Sequence, residues 1–385
     1  MHRPESAHPE PQLTDSRDFR HRFFPDVGRA DWTDWQWQLR NRIRDGKSLA
    51  RVLRLTDDER SALDRHRGPL PVGITPYYAS LLDAENASSA LRRTVVMTGA
   101  EYQVSESETA DPLSEDRDQP VPGIVHRYPD RVLFLVTGFC PVYCRYCTRS
   151  RMVGYPGGEY RFNTDQWQAG LDYIAAHSGI RDVLISGGDP LTLADDKLEW
   201  LLSGLRKIPH VEFLRIGSKI PAALPFRITK SLVRMMKRYH PLWMSLHFTH
   251  PDEITPEVAL ACNRLADAGI PLGSQTVLLR GVNDDVDTLR QLFLQLLRLR
   301  VRPYYLYQCD PVSGSAHFRV PIDRAVEIMR GLRGHITGYA VPTLVVDLPG
   351  GGGKVPLVPE YVAQRDGNEI WFTNYQGETF RYVDR

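Results

Sequence analysis

Arg131-Val-Leu-Phe-Leu-Val-Thr-Gly-Phe-Cys140-Pro-Val-Tyr-Cys144-Arg-Tyr-Cys147 joins a short apolar run to three cysteines within eight positions. Runs of this length, rich in Val, Leu and Phe, read as buried strands. Working outward, further strand-like runs begin near Asp182, Val211, Leu242, Gly273 and Pro303, at steps of 29, 31, 31 and 30 residues. Between them lie helical patterns: Trp167, Leu171 and Ile174; Leu198, Leu201, Leu202 and Leu205; Thr255-Pro256 opening another; and Leu289, Leu292, Leu296 and Leu299. A strand and a helix every ~30 residues is the βα unit of a parallel sheet. Six strands are too few for a full eight-stranded barrel. The expected fold is α/β, an open (β/α)6 barrel rather than a doubly wound sheet.

The flanks divide the chain. Residues 1–30, with scattered Pro, His and Arg, are expected to form a polar arm. Residues 31–104 are expected to be helical. Asp31 and Asp34 open a helix with Trp32, Trp35, Leu39 and Ile43 on one face; Thr56 and Glu59 make a capping box; Thr75-Pro76 starts a third helix. The tryptophans read as packing residues. The core spans 105–345 and begins with an acidic, proline-rich stretch to about residue 125. Residues 346–385 form a short C-terminal extension.

Composition narrows the function. Lys and Arg number 48 against 47 Asp and Glu, a net charge of +1 in 385 residues. No basic field points to nucleic acid or an anionic membrane. The longest aliphatic and aromatic run, Val132–Val136, is far short of the ~20 residues of a membrane helix. Met1-His-Arg-Pro-Glu-Ser has no apolar segment, so a cytoplasmic location is expected.

Five cysteines, three of them clustered, indicate metal or redox chemistry rather than disulfides. Cys140-x3-Cys144-x2-Cys147 follows a strand C-terminus, where barrels place their chemistry. Three thiolates leave one iron of a [4Fe–4S] cluster open for a ligand. The alternative is a zinc site completed by a histidine, Cys262 or Cys309; zinc sites usually pair two CxxC knuckles, and only one triad is present.

Pro349-Gly-Gly-Gly-Gly-Lys354 lacks the spacing and the Ser or Thr of a phosphate loop, since Leu348 and Val355 occupy those places. A lysine on a close-approach glycine loop suits imine formation with an aldehyde such as pyridoxal 5′-phosphate (PLP). A plain surface turn is the other reading.

The triad, with Ser186-Gly-Gly-Asp189 after the second strand, resembles the radical S-adenosylmethionine (SAM) superfamily. The stretches 120–136, Arg302–Asp310, Gly273–Asp284, Leu332–His335 and Val346–Lys354 resemble the lysine 2,3-aminomutases, from about residue 105 to the C-terminus. The resemblance implies three cofactors: a [4Fe–4S] cluster on Cys140, Cys144 and Cys147, SAM near Ser186, Gly187, Gly188 and Asp189, and PLP on Lys354. It also implies that Arg127 and Arg131 clamp the PLP phosphate, that Tyr128 packs on its ring and that Gln275 makes a polar contact near it. Arg149 would pair with the substrate α-carboxylate, and Asp310 and Asp347 with the side-chain ammonium of L-lysine. Two carboxylates favour a cation and disfavour glutamate.

The implied reaction moves the α-amino group of L-lysine to Cβ, giving L-β-lysine. It draws an electron from a donor such as flavodoxin or ferredoxin, in a homo-oligomer. Arginine, giving β-arginine, is the nearest alternative substrate, and a non-catalytic cysteine-ligated metal module is the alternative of another class. Departures from the family pattern are Thr249 for Asn, Ser274 for Asn, Gly-Phe before Cys140, and Leu348 for Ala after the second acid. Leu348, bulkier than alanine, is expected beside the substrate pocket, where its size is able to reshape the pocket for either cation.

Overall fold

The computed structural model describes residues 16–68, 70–154 and 162–385. Its main sheet has nine strands: β1 (Ile124–Tyr128), β2 (Arg131–Leu135), β3 (Asp182–Ser186), β4 (Phe213–Ser218), β5 (Leu242–His247), β6 (Leu272–Leu278), β7 (Val301–Gln308), β8 (Thr343–Leu348) and β9 (Gly353–Leu357). They pair in sequence order. Strands β2 to β8 are parallel, and β1 and β9 close the two edges as antiparallel neighbours of β2 and β8.

The six expected strands are β2 to β7. The further strand-like run Val341–Asp347 forms a seventh parallel strand, β8, paired with β7 through Tyr305↔Thr343 and Tyr307↔Val345.

The helices Thr164–Ala176, Asp195–Arg206, Pro256–Asp267, Val286–Arg298 and Ile322–Leu332 lie between strands and turn leucine-rich stripes inward. Leu198, Leu201, Leu202 and Leu205 are fully buried with Val183, Ile185, Leu214 and Ile216 of the sheet in one continuous core. Each such side chain contributes ~1.5–3 kcal/mol by leaving water.

A second core belongs to the N-terminal region: Phe19, Trp32, Ile43, Leu49, Ile74, Tyr77 and Leu91. The loose arm expected over residues 1–30 gives way at Ser16 to the helix Ser16–Phe23, whose Phe19 is buried; residues 1–15 lie outside those described. The helix expected from Asp31 to Gly46 is two, Arg29–Trp32 and Trp35–Arg40. Asp34 interrupts it because its carboxylate caps the amide of Gln36, and Ile43 turns extended to bridge Ile74. The capping box at Thr56 and Glu59 starts the helix Asp57–Arg65.

Thr75, Tyr77 and Tyr78 fasten this region to the barrel, bonding the carbonyl of Ala223, Thr255 and Glu253. The chain ends in a three-stranded antiparallel sheet, β10 (Val362–Asp366), β11 (Glu369–Thr373) and β12 (Thr379–Val383). Among the described residues no helix is long and apolar enough to cross a membrane.

Candidate active site

From Val136 to Gly154 the backbone forms neither helix nor strand, and this loop carries the triad. Cys140, Cys144 and Cys147 line one cavity of about 180 Å³ with Arg149, Ser186, Gly187, Gly188, Lys219 and His247. Among the described residues the thiols do not converge with other ligands on a single ion-sized point. Burial pushes all three thiols up, Cys147 to about 11, so thiolates here require the charge of a bound metal centre. Cys262 and Cys309 are buried elsewhere, in the barrel core and beside Phe318, outside this cavity.

The glycine motif is shaped by close approach. A Cβ on Gly187 would sit 2.3 Å from the Thr137 carbonyl oxygen, and one on Gly188 2.5 Å from that of Phe139. Gly187 also has φ +130°, so the turn packs on the cysteine loop as only glycines allow. Asp189 faces away from solvent, accepting from Ser218 Oγ at 2.9 Å and from the backbone amide of Lys219 at 2.7 Å. Burial pushes its carboxyl up to about 6 against these bonds. Its carboxylate is thus engaged by the barrel, while Ser186, Gly187, Gly188 and Asp189 itself all line the cavity.

Where the two edge strands β1 and β9 approach each other, four predicted residues meet. Lys354 follows a glycine run in which Gly350, Gly351 and Gly353 take positive φ of 70°, 82° and 82°. Its backbone amide donates to Tyr128 Oη at 3.1 Å, which ties β9 to the end of β1. The Arg131 guanidinium stacks on Tyr128, 3.8 Å from the ring centroid. Arg127 lies beside Gly351 and donates to Asp118 at 2.8 Å and to the Leu113 carbonyl. Lys354 Nζ pairs with Asp347 Oδ1 at 2.9 Å and lies 5.4 Å from the Tyr307 ring centroid.

Three residues at the end of the triad reach three parts of the site. Cys147 faces the cavity, Thr148 Oγ1 donates to Asp310 Oδ2 at 2.7 Å, and Arg149 donates from Nε and Nη2 to Glu115 at 2.8–3.1 Å. Burial alone would raise the Glu115 carboxyl, but Arg149, Arg151 and Arg127 hold it below its ordinary value. The pairing leaves Arg149 Nη1 turned to Ser186 Oγ at 3.4 Å. Burial and then the charge of Asp347 push Asp310 up to about 6, against the Thr148 bond.

Gln275 stands behind His247: Tyr304 donates to its Oε1 at 2.9 Å, so its amide nitrogen faces His247 Nε2 at 2.6 Å. Burial, with Lys219 and Arg149 nearby, pushes His247 down to about 3, which keeps the ring neutral. Thr249, the departure from asparagine, bonds Tyr146 at 2.9 Å and Lys219 at 3.2 Å.

Glu115, Thr148, His247 and Lys219 escape the sequence reading. The signal for Glu115 is the acidic stretch itself, since Arg145–Arg151 is a basic run in need of counter-charges. Leu348 follows Asp347 on β8 and is 40% exposed, whereas Asp347 is buried.

Two family models match the chain: "Radical SAM superfamily" over residues 134–292 and "Lysine-2,3-aminomutase" over residues 329–384. The chain is 49% identical to L-lysine 2,3-aminomutase of Acetoanaerobium sticklandii, covering 94% of this chain and 87% of that one. It is 47% identical to the L-lysine 2,3-aminomutase of Fusobacterium nucleatum, covering 95% and 85%. A glutamate 2,3-aminomutase of Clostridioides difficile is 41% identical, covering 92% and 83%.

Proposed function

Because the chain belongs to the lysine 2,3-aminomutase family of radical SAM enzymes, we propose that it is an isomerase converting L-lysine to L-β-lysine. The observation that carries the substrate is the Asp347–Lys354 pair beside Asp310. One of the two acids already binds a lysine ammonium, at 2.9 Å. A glutamate side chain there would meet two carboxylates and be repelled.

When bound, the cluster and SAM supply the initiating radical, and PLP supplies a π-system that spreads the unpaired electron. Cys140, Cys144 and Cys147 would hold the cluster and leave one iron for SAM, with Ser186, Gly187, Gly188 and Asp189 lining the SAM space. Lys354 would hold PLP, Tyr128 would pack on it, and Arg127 and Arg131 would face its phosphate. Gln275, the polar residue assigned near PLP, also orients the His247 ring that burial keeps neutral.

Arg149 and the acids divide the substrate's charges. Glu115 fixes one edge of the Arg149 guanidinium, leaving Nη1 to meet the α-carboxylate. Asp310 and Asp347 take the side-chain cation, so the amino acid is stretched between the cysteine loop and β8. That orientation brings Cβ toward the cavity of the triad and fixes which hydrogen is exposed.

The electron donor is of the flavodoxin or ferredoxin class, the assembly a homo-oligomer and the location cytoplasmic. Five unpaired cysteines and an oxygen-sensitive centre suit a reducing compartment. The proposed division is an arm over 1–30, a helical region over 31–104, a barrel over 105–345 and a C-terminal segment over 346–385; Phe19 of the arm packs in the core of the helical region.

Anaerobic turnover with reductant, SAM and PLP, comparing lysine, arginine and glutamate, tests the assignment. Lysine should give the highest kcat/KM, with SAM regenerated. Preference for arginine or glutamate, or SAM consumed with each product, would overturn it.

A further inference from the structure

The cysteine loop has no secondary structure of its own, and beside its contacts to the barrel it is gripped from the N-terminal region. Arg42 Nη1, in the N-terminal region, donates to the Cys140 carbonyl at 2.5 Å. Its guanidinium carbon lies 4.0 Å from the Phe139 ring centroid and 5.1 Å from that of Tyr143. The Tyr143 amide donates to the Gly73 carbonyl at 2.9 Å, and a Cβ on Gly73 would sit 2.6 Å from the Tyr143 ring. One turn further, the Arg145 amide donates to Thr94 at 2.8 Å. The buried Arg145 guanidinium pairs with both oxygens of Glu101 and donates to the Leu70 carbonyl at 2.8 Å. Arg42, Leu70, Gly73, Thr94 and Glu101 all lie in the N-terminal region, before the first barrel strand.

We propose that the N-terminal helical region is the holder of the cysteine loop, with Arg42 as a positioning residue that fixes the Cys140 backbone and sets a permanent cation beside the cluster. The inference rests on reading the triad as cluster ligands. Three thiolates on an irregular loop keep their mutual geometry only if neighbouring backbone is over-determined, and here three successive points are anchored. A fixed positive charge also favours the more negative, reduced state of a cluster. Arginine suits the position because its planar group stacks on rings while donating in its own plane.

The test uses the full chain, reconstituted anaerobically, as Arg42→Met and Arg42→Lys. Bound iron, the cluster midpoint potential and the absorbance of PLP held by Lys354 are read on the same samples. Arg42→Met should keep PLP and shift the cluster's reduction equilibrium about tenfold toward the oxidised form, about 59 mV more negative for one electron. Arg42→Lys, which keeps the charge, should restore most of that shift while still losing iron faster than the parent. A parent-like potential and iron content in Arg42→Met would overturn the proposal. Joint loss of iron and PLP in both variants would overturn it too, making Arg42 a general folding residue. Failure of the unsubstituted chain to take up iron would instead remove the cluster reading itself.

Discussion

Asp347 and Lys354 are register partners across the β8–β9 hairpin, their side chains joined Oδ1 to Nζ at 2.9 Å. The acid assigned to the substrate and the lysine assigned to the cofactor are thus spaced by one turn of backbone rather than by distant packing. Six residues, Leu348 to Gly353, set that spacing, and the positive φ of three glycines makes the tight return possible.

Asp347→Asn should therefore lower kcat/KM for lysine ten- to a hundredfold, the ~1.5–3 kcal/mol of a hydrogen bond to a charged group. PLP and SAM should remain bound. Steady-state kinetics on lysine and on a neutral amino acid check this. An unchanged preference for lysine in an Asp310→Asn, Asp347→Asn double variant would mean that the acids do not read the side chain.

Asp310 predicts a pH dependence. With its carboxyl pushed up to about 6 by burial, it holds a cation only above that value, so kcat/KM for lysine should rise from pH 5 to 7. Stability runs the other way. Between the ordinary 3.8 and about 6 the folded chain keeps a proton that the unfolded chain has lost, so this group's contribution falls as pH rises. In Asp310→Asn the acid limb near 6 should disappear. Its persistence would point to Asp189, the other carboxyl raised to about 6.

The barrel was legible because its signal is local and repeats: β2 to β7 begin within a few residues of the periodic starts. β8 broke the rhythm, since the stretch from Cys309 to Pro321 lengthens the preceding connection. The triad was legible for the same reason, being three ligands on one short loop. Arg149 to Glu115, Arg42 to Cys140 and Thr148 to Asp310 span 34, 98 and 162 residues, and no periodicity marks such pairs. The N-terminal helix broke at Asp34 because a short capping carboxylate overrode a continuous apolar stripe.

Glu115→Gln should separate binding from chemistry. It removes one partner of a buried ion pair, a loss of ~3–5 kcal/mol in stability, so the melting temperature should fall. With Arg149 no longer fixed along one edge, KM for lysine should rise about tenfold, more than kcat falls. Glu115→Asp should recover part of the KM. A fall in kcat alone would place Glu115 in the chemical step instead of in carboxylate binding.

The five cysteines should divide cleanly. Ala at Cys140, Cys144 or Cys147 should abolish iron binding and turnover while PLP absorbance survives, because Lys354 and Tyr128 lie outside the cavity that the three cysteines line. Ser at Cys262 or Cys309 should leave the iron and sulfide content unchanged, since both side chains are buried outside the cavity. Iron lost from Cys309→Ser would reveal a fourth protein ligand and close the iron assigned to SAM.

Leu348 gives the sharpest test of where specificity resides. Successive strand residues point to opposite faces, so the residue after a buried Asp347 (6% exposed) must look outward, and Leu348 does, at 40% exposed. Its Cβ packs instead over the glycine run, 2.8 Å from the position a Cβ on Gly352 would take. Leu348→Ala should accordingly leave the lysine-to-arginine ratio of kcat/KM within about twofold, because ~0.4 kcal/mol is all that the indirect effect of losing an outward isopropyl group should reach. Competition between the two substrates is the measurement that decides. A tenfold swing toward arginine in Leu348→Ala would show that the outward residue shapes the pocket, and the two aspartates would then bind the cation without choosing it.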